Sequence, residues 1–91
     1  MQKTVRILVK GKVQGVFYRQ STREKAKELD ITGTVQNNSD DSVEIIATGS
    51  EDQLQKLRDW CQTGPPRARV EKVEMSDLPL KEFESFSIKH F

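Results

Sequence analysis

The sequence predicts an α+β domain in the order βαββαβ with an added strand: a mostly antiparallel sheet with two helices on one face. Three observations carry that expectation. Apolar residues alternate with polar ones in several short segments, two longer segments carry an apolar stripe at helical spacing, and the middle of the chain reads as a hairpin. The hairpin excludes the repeated βαβ of a doubly wound sheet, which needs a crossover at every step.

The elements follow in order. From Thr4 to Lys10, Val5, Ile7 and Val9 alternate with Arg6, Leu8 and Lys10, as in a strand with one buried face. Ser21 and Glu24 have capping-box spacing, so a helix is expected to open at Ser21, with Thr22, Ala26 and Leu29 on its stripe and its end near Asp30. Gly33 precedes a short strand, Thr34 to Asn37. Asn38-Ser39-Asp40-Asp41 turns into a second strand on which Val43, Ile45 and Ala47 share a face, and Gly49 is expected to stop it. Ser50 and Gln53 form another capping box ahead of a stripe of Leu54, Leu57, Trp60 and Cys61, and Gly64-Pro65-Pro66 ends that helix. In the segment from Ala68 to Met75 the apolar phase changes between Val70 and Val73, which predicts a strand with a bulge or kink. Phe86, Ile88 and His90 alternate through the last strand. This is the split βαβ, ferredoxin-like arrangement, with the sheet face opposite the helices more polar.

Composition limits the function. The 91 residues are 34% hydrophobic, enough for a single domain, residues 1–91, with one core. Fifteen basic and fourteen acidic residues give a net charge of +1, which supplies no global field for nucleic acid or an anionic membrane. The lone Cys61 excludes an internal disulfide, and no apolar run suits a signal peptide or membrane span, so the cytoplasm is the expected compartment. A metal site of Cys and His ligands is not expected with one histidine, and neither is any cofactor. With no large apolar patch in the pattern, a monomer is expected.

Chemistry concentrates in Gly11-Lys12-Val13-Gln14-Gly15-Val16-Phe17-Tyr18-Arg19, between the first strand and the first helix. Two glycines allow the backbone to bend so that successive N–H groups turn inward, and Arg19 adds a permanently charged fork of donors. Read from the residues alone, this is either a cradle for a tetrahedral oxyanion or a glycine-containing connection with a solvated arginine. Asn37 is likewise either a polar site residue or an Asx-type residue entering the turn. The loop lacks the Gly-Lys-Ser/Thr spacing of a nucleotide-binding P-loop, so ATP use is not implied.

These nine residues resemble the signature of the acylphosphatase family: glycine, any residue, Val-Gln-Gly-Val, any residue, Phe-Arg. A second family stretch, Gly-Trp-Val-Arg-Asn, two residues, Asp-Gly, any residue, Val-Glu, is matched in part by Gly33 to Glu44, with the Asp-Gly pair at Asp41-Ser42 or one residue earlier. Gly64-Pro65-Pro66-Arg67-Ala68-Arg69-Val70 matches a third. The resemblance spans nearly the whole chain and implies the same ferredoxin-like architecture. It implies hydrolysis of acyl phosphates to a carboxylate and inorganic phosphate, the latter both product and inhibitor. Arg19 would be the phosphate-binding arginine and Asn37 the water-positioning asparagine, with backbone N–H groups of Gly15, Val16, Phe17, Tyr18 and Arg19 around the phosphoryl oxygens. The chain departs from the family pattern with Tyr18 for phenylalanine, Thr34 for tryptophan, Gln36 for arginine and Asp30 for glycine.

Such chemistry suits these side chains. A carboxylate leaving group is a weak base and needs no general acid, so positioning and electrostatics carry the work. His90 is therefore given no catalytic role. One rival is a catalytically silent anion- or partner-binding domain. Another is an RNA-binding module of the same strand order, whose stacking aromatics are missing from Thr4–Lys10 and Val43–Thr48.

Overall fold

In the computed structural model, which describes residues 1–90, the chain runs β1 (Gln2–Lys12), α1 (Tyr18–Glu28), β2 (Thr32–Asn37), β3 (Val43–Ser50), α2 (Glu51–Cys61), β4 (Arg69–Leu78) and β5 (Phe86–Ile88). The five strands form one sheet in the order β4-β1-β3-β2-β5, antiparallel except for the β2–β5 pair. Alternation decides the layers. Val5, Ile7, Val9, Val35, Val43, Ile45 and Ala47 are all fully buried, and the registers Val5↔Ala47, Ile7↔Ile45 and Val9↔Val43 put β1 and β3 on a shared apolar face. Onto the core pack Tyr18, Thr22 and Ala26 of α1 and Leu54, Leu57 and Cys61 of α2.

Several boundaries differ from the sequence reading, each for a local reason. Helix α1 does not open at Ser21; Phe17, in the left-handed region (φ 64°), turns the chain one turn earlier, and the Ser21 N–H donates to the Phe17 carbonyl at 3.0 Å. The stripe of Thr22 and Ala26 extends back to Tyr18, four residues before Thr22, a signal present in the sequence. Gly33 lies inside β2, because at φ 147° a Cβ there would sit 1.9 Å from the Ile46 carbonyl oxygen of the neighbouring strand. Strand β3 runs past Gly49 to Ser50, which caps α2 with the capping box expected from Gln53. The bulge is where the phase change put it: Lys10 pairs with Lys72 and Gly11 with Val70, so Glu71 is the extra residue. His90 falls beyond the last strand, which ends at Ile88.

The face away from the helices is less polar than expected at one end. After β4 the chain returns across the sheet, and Thr4 and Thr48, paired on neighbouring strands, are buried beneath it. Their hydroxyls bond to each other at 2.7 Å; Thr48 donates to the Lys81 carbonyl at 2.6 Å, and the Lys81 N–H donates to Thr4 Oγ1 at 2.8 Å. Elsewhere that face carries the half-buried Leu8 and Ile46 and the Arg6–Glu44 ion pair at 3.1 Å.

Burial pushes the Cys61 thiol up to about 12, which leaves it protonated and inert at neutral pH. Burial also raises Tyr18, whose hydroxyl donates to the Cys61 carbonyl at 2.8 Å and so satisfies a carbonyl at the C-terminal end of α2. The tyrosine that replaces the family's phenylalanine thus ties α1 to α2.

Helix α1 ends in a Schellman motif: Ile31 N–H donates to Ala26 O at 2.8 Å and Asp30 N–H to Lys27 O at 3.1 Å, with Asp30 left-handed at φ 59°. Strain of ~1–2 kcal/mol falls on a non-glycine residue there, offset in part by the unfolded-chain entropy that glycine would add. Asp30→Gly should stabilise the protein by about 0.5–1 kcal/mol. A urea titration showing a lower midpoint for Asp30→Gly would contradict this.

Candidate active site

The loop from Val13 to Phe17 links the C-terminal end of β1 to the start of α1, and Val13 and Val16 are its anchors in the core. Between them Gly15 takes φ 72°, with no atom within 4 Å of where a Cβ would stand, and Phe17 follows at φ 64°. Left-handed residues placed this closely turn successive N–H groups to one side, the geometry of an anion-binding nest. The N–H groups of Tyr18, Arg19 and Gln20 precede the first intrahelical bond of α1, and no side chain caps them. With no acidic residue in its first turn, α1 presents a positive end to the same place.

Gln14 fixes this loop to the β2–β3 turn. Its Nε2 donates to the Asn38 and Ser42 carbonyls, both at 2.8 Å, as a second partner beside the turn's own N–H groups, and so holds the loop after β1 to the turn after β2. In the turn, the Ser42 N–H and hydroxyl both donate to Asp40, which holds its carboxyl below the usual range, while Asp41 is the left-handed residue at φ 72°. The family's Asp-Gly pair therefore falls one residue earlier than Asp41-Ser42: Asp41 stands where the left-handed glycine would be. Gln36, where the family has arginine, donates to Asn38 Oδ1 at 3.0 Å.

A cleft of ≈ 320 Å³ opens over the loop, lined by Gly15, Phe17, Arg19, Asn37, Ile88 and His90 among others. Of the residues singled out in the sequence, Gly15, Phe17, Tyr18, Arg19 and Asn37 all line it; Val16 is buried just beneath, and the Tyr18 side chain points to the core, leaving its N–H as its offering to the cleft. Arg19 makes no ion pair among the described residues, and its Nη1 lies 3.4 Å from His90 Nδ1. Among the described residues the guanidinium therefore keeps most of its donors uncommitted. Asn37 is more telling: its Oδ1 is buried without a hydrogen-bond partner, the sole such side-chain atom among the described residues. An unsatisfied buried polar group costs about 1–3 kcal/mol, so this amide is not held for stability. The turn-residue reading of Asn37 loses its support, since the hydrogen bonds that build the turn come from Gln14, Asn38, Asp40 and Ser42.

A loop of inward N–H groups, an arginine without an ion pair among the described residues and an orphaned amide share one cleft, and the chain has relatives along nearly its whole length. The acylphosphatase family profile matches residues 5–88. The chain belongs to the acylphosphatase family. An acylphosphatase from Marinobacter nauticus is 51% identical over 85 residues, covering 92% of each chain. Among solved structures, an acylphosphatase from Coxiella burnetii superposes with a TM-score of 0.94 at 39% identity, covering 97% of this chain and 93% of its own. One from Bacillus subtilis gives 0.93 at 33% identity, covering 99% and 100%. The ferredoxin-like fold read from periodicity is the fold of these relatives.

Sequence reasoning missed Ile88 and His90 as walls of this cleft and Gln14 as the tie between its loop and the β2–β3 turn. Gln14 stood inside the quoted signature and could have been asked what a long amide does there; Ile88 and His90 arrive through a return of the chain that no local pattern announces.

Gln14 and Asn37 should respond oppositely to truncation. Gln14→Ala, which removes two hydrogen bonds between the loop and the turn, should cost about 1–3 kcal/mol, whereas Asn37→Ala removes an orphaned acceptor and should leave stability unchanged or raise it. Thermal and urea unfolding of the two variants reads this directly, and a clear loss for Asn37→Ala would show that its amide is satisfied in the folded protein.

Proposed function

We propose that this acylphosphatase family member hydrolyses acyl phosphates by water attack at phosphorus, with the phosphoryl group held by the loop and Arg19 and the water oriented by Asn37. The orphaned Oδ1 of Asn37 carries the reading, because an unpartnered acceptor in a cleft with anion donors suits a water O–H better than any protein group at hand. Supporting it are the N–H groups at the head of α1 and the Arg19 guanidinium, both without a committed partner among the described residues; the guanidinium can take two phosphoryl oxygens at once.

In this reaction the oxygen of water bonds to phosphorus as the bond from phosphorus to the acyl oxygen breaks. The carboxylate leaves with that electron pair, and the proton released by water passes to the phosphate or to solvent. Carboxylates are weak bases, with pKa values on the order of 4, so no general acid is needed. An amide cannot take up the proton, and its work is orientation. The cradle and Arg19 spread the negative charge that builds on the equatorial oxygens. Inorganic phosphate, as a tetrahedral anion, then occupies the same cradle as product and competitive inhibitor. The protein acts as one domain, a monomer in the cytoplasm on a small-molecule acyl phosphate; the lone buried Cys61 fits a reducing compartment, and no helix among the described residues is long and apolar enough to cross a membrane.

The two side chains should fail differently. Arg19→Ala should lose phosphate binding together with turnover, while Asn37→Ala should keep a near-normal inhibition constant for phosphate and lose kcat by on the order of 100-fold or more. Saturation kinetics with benzoyl phosphate, alongside phosphate inhibition, measures both; an Asn37→Ala enzyme with nearly full kcat would remove the water-positioning role.

Turnover should also be indifferent to EDTA and to added magnesium, and sulfate should inhibit competitively, since the donors are N–H groups and a guanidinium. Chelator-sensitive activity would contradict a cradle that works without metal.

A further inference from the structure

Phe17 is the residue that the phosphate-binding role explains least. Its backbone belongs to the loop, but its side chain contributes nothing to the core: it is 67% exposed, one of the few large apolar side chains left in solvent, and it stands at the cleft. It also adopts φ 64°, ψ 22°, a left-handed conformation in which a bulky residue is an outlier. Glycine would take that conformation freely, as Gly15 does nearby at φ 72°. The ring therefore sits there at the expense of both backbone strain and solvation. Strain of this kind in a cleft points from the outlier towards a use.

The rest of the cleft indicates which use. Its donors, the loop N–H groups and Arg19, suffice for the phosphoryl end of a substrate, yet at ≈ 320 Å³ it has more room than a phosphoryl group fills. The remaining walls combine Val13 and Ile88 beside Phe17 with the uncharged or weakly basic Gln20 and His90, and among the described residues no carboxylate side chain lines them. A substrate anchored by phosphate in this cleft must leave its acyl group against these walls or in solvent. A flat or extended apolar acyl group would cover the exposed ring, whereas a small acyl group could not reach it.

Resting on the acyl phosphate reading above, we propose that Phe17 is a specificity-determining residue whose ring packs against the acyl group, so that the enzyme prefers acyl phosphates with aromatic or extended apolar acyl groups over small ones. The backbone of Phe17 serves both kinds of substrate equally; its side chain distinguishes them.

The test is a ratio of specificity constants. For the full-length protein, Phe17→Ala and Phe17→Tyr, kcat/KM is measured on benzoyl phosphate and on acetyl phosphate, and the inhibition constant of inorganic phosphate is measured in parallel. Any difference in intrinsic reactivity between the two anhydrides cancels when variant is compared with parent, and any disturbance of the cradle lowers both substrates together and shows in phosphate inhibition. Phe17→Ala should lower the benzoyl-to-acetyl ratio by about three- to tenfold, the worth of an aromatic contact, and Phe17→Tyr, which keeps the ring face, should restore it. An unchanged ratio in Phe17→Ala, whether or not both constants fall, overturns the proposal and leaves the ring a loop support. Absence of turnover by the parent on either substrate would instead count against the acyl phosphate reading.

Discussion

The structure depends on how the chain leaves β1. Strand β1 is central, flanked by β4 and β3, and it ends in a loop that must reverse direction and deliver α1 back onto the sheet within a few residues. Left-handed conformations at Gly15 and Phe17 make that reversal, with Val13 and Val16 pinned in the core on either side. The same backbone geometry that starts α1 at Tyr18 also turns N–H groups together towards the cleft. Fold and proposed anion cradle are thus one construction, and a change that relaxes the turn alters both. Gln14 extends the constraint sideways, because its two hydrogen bonds to the β2–β3 turn set the distance between the cradle and the end of β2, where Asn37 sits.

Within that frame the cleft holds groups that are poorly served by the protein itself. Asn37 Oδ1 is buried without a partner, Arg19 has no carboxylate partner among the described residues, and Phe17 is strained and exposed. The orphaned Asn37 oxygen and the strained Phe17 are local losses of stability, and all three residues line the same cleft. A chain of this size has a stability margin of only roughly 5–15 kcal/mol, so such losses must be offset elsewhere. The fully buried strand faces, the Tyr18 hydroxyl on the end of α2 and the capping box at Ser50 are the visible compensations.

Much of this was legible in the sequence because it is local. Period-two alternation located the core faces of β1 and β3, Ser50 with Gln53 located the start of α2, and the phase change between Val70 and Val73 located the bulge at Glu71. What misled was also local: Ser21 and Glu24 have the spacing of a cap, but the left-handed Phe17 had already begun the helix, and backbone torsions in a loop leave little trace in residue type when the residue is not glycine. Asp41 shows a milder form of the same limit, since aspartate tolerates the left-handed conformation it takes there but does not require it. Gly15, Phe17, Arg19 and Asn37 could be named from the motif, but the orphaned oxygen that distinguishes Asn37 from a turn residue is a property of burial, which only the packed chain has.

The parts of the cleft that no motif announced arrive by topology. Strand β4 ends beside Thr4, at the opposite end of β1 from the loop, so the chain must cross the sheet to pair β5 with β2. It can do so against the open face because Thr4 and Thr48 offer hydroxyls to the Lys81 backbone, replacing the water that those backbone groups would otherwise hold. Once across, the Gly33 N–H donates to Ser85 O at 3.1 Å, and β5 runs parallel to β2 towards the cleft. The Lys89 N–H then donates to Val35 O at 2.8 Å, so the chain is still held to β2 as it passes Ile88 and reaches His90 beside Arg19. Two buried threonines at one end of the sheet thereby guide the segment that supplies an apolar wall and a histidine at the other. Residues as remote from the reacting groups as Thr4 and Thr48 consequently belong to the physical account of the site, through the path of the backbone that they make possible.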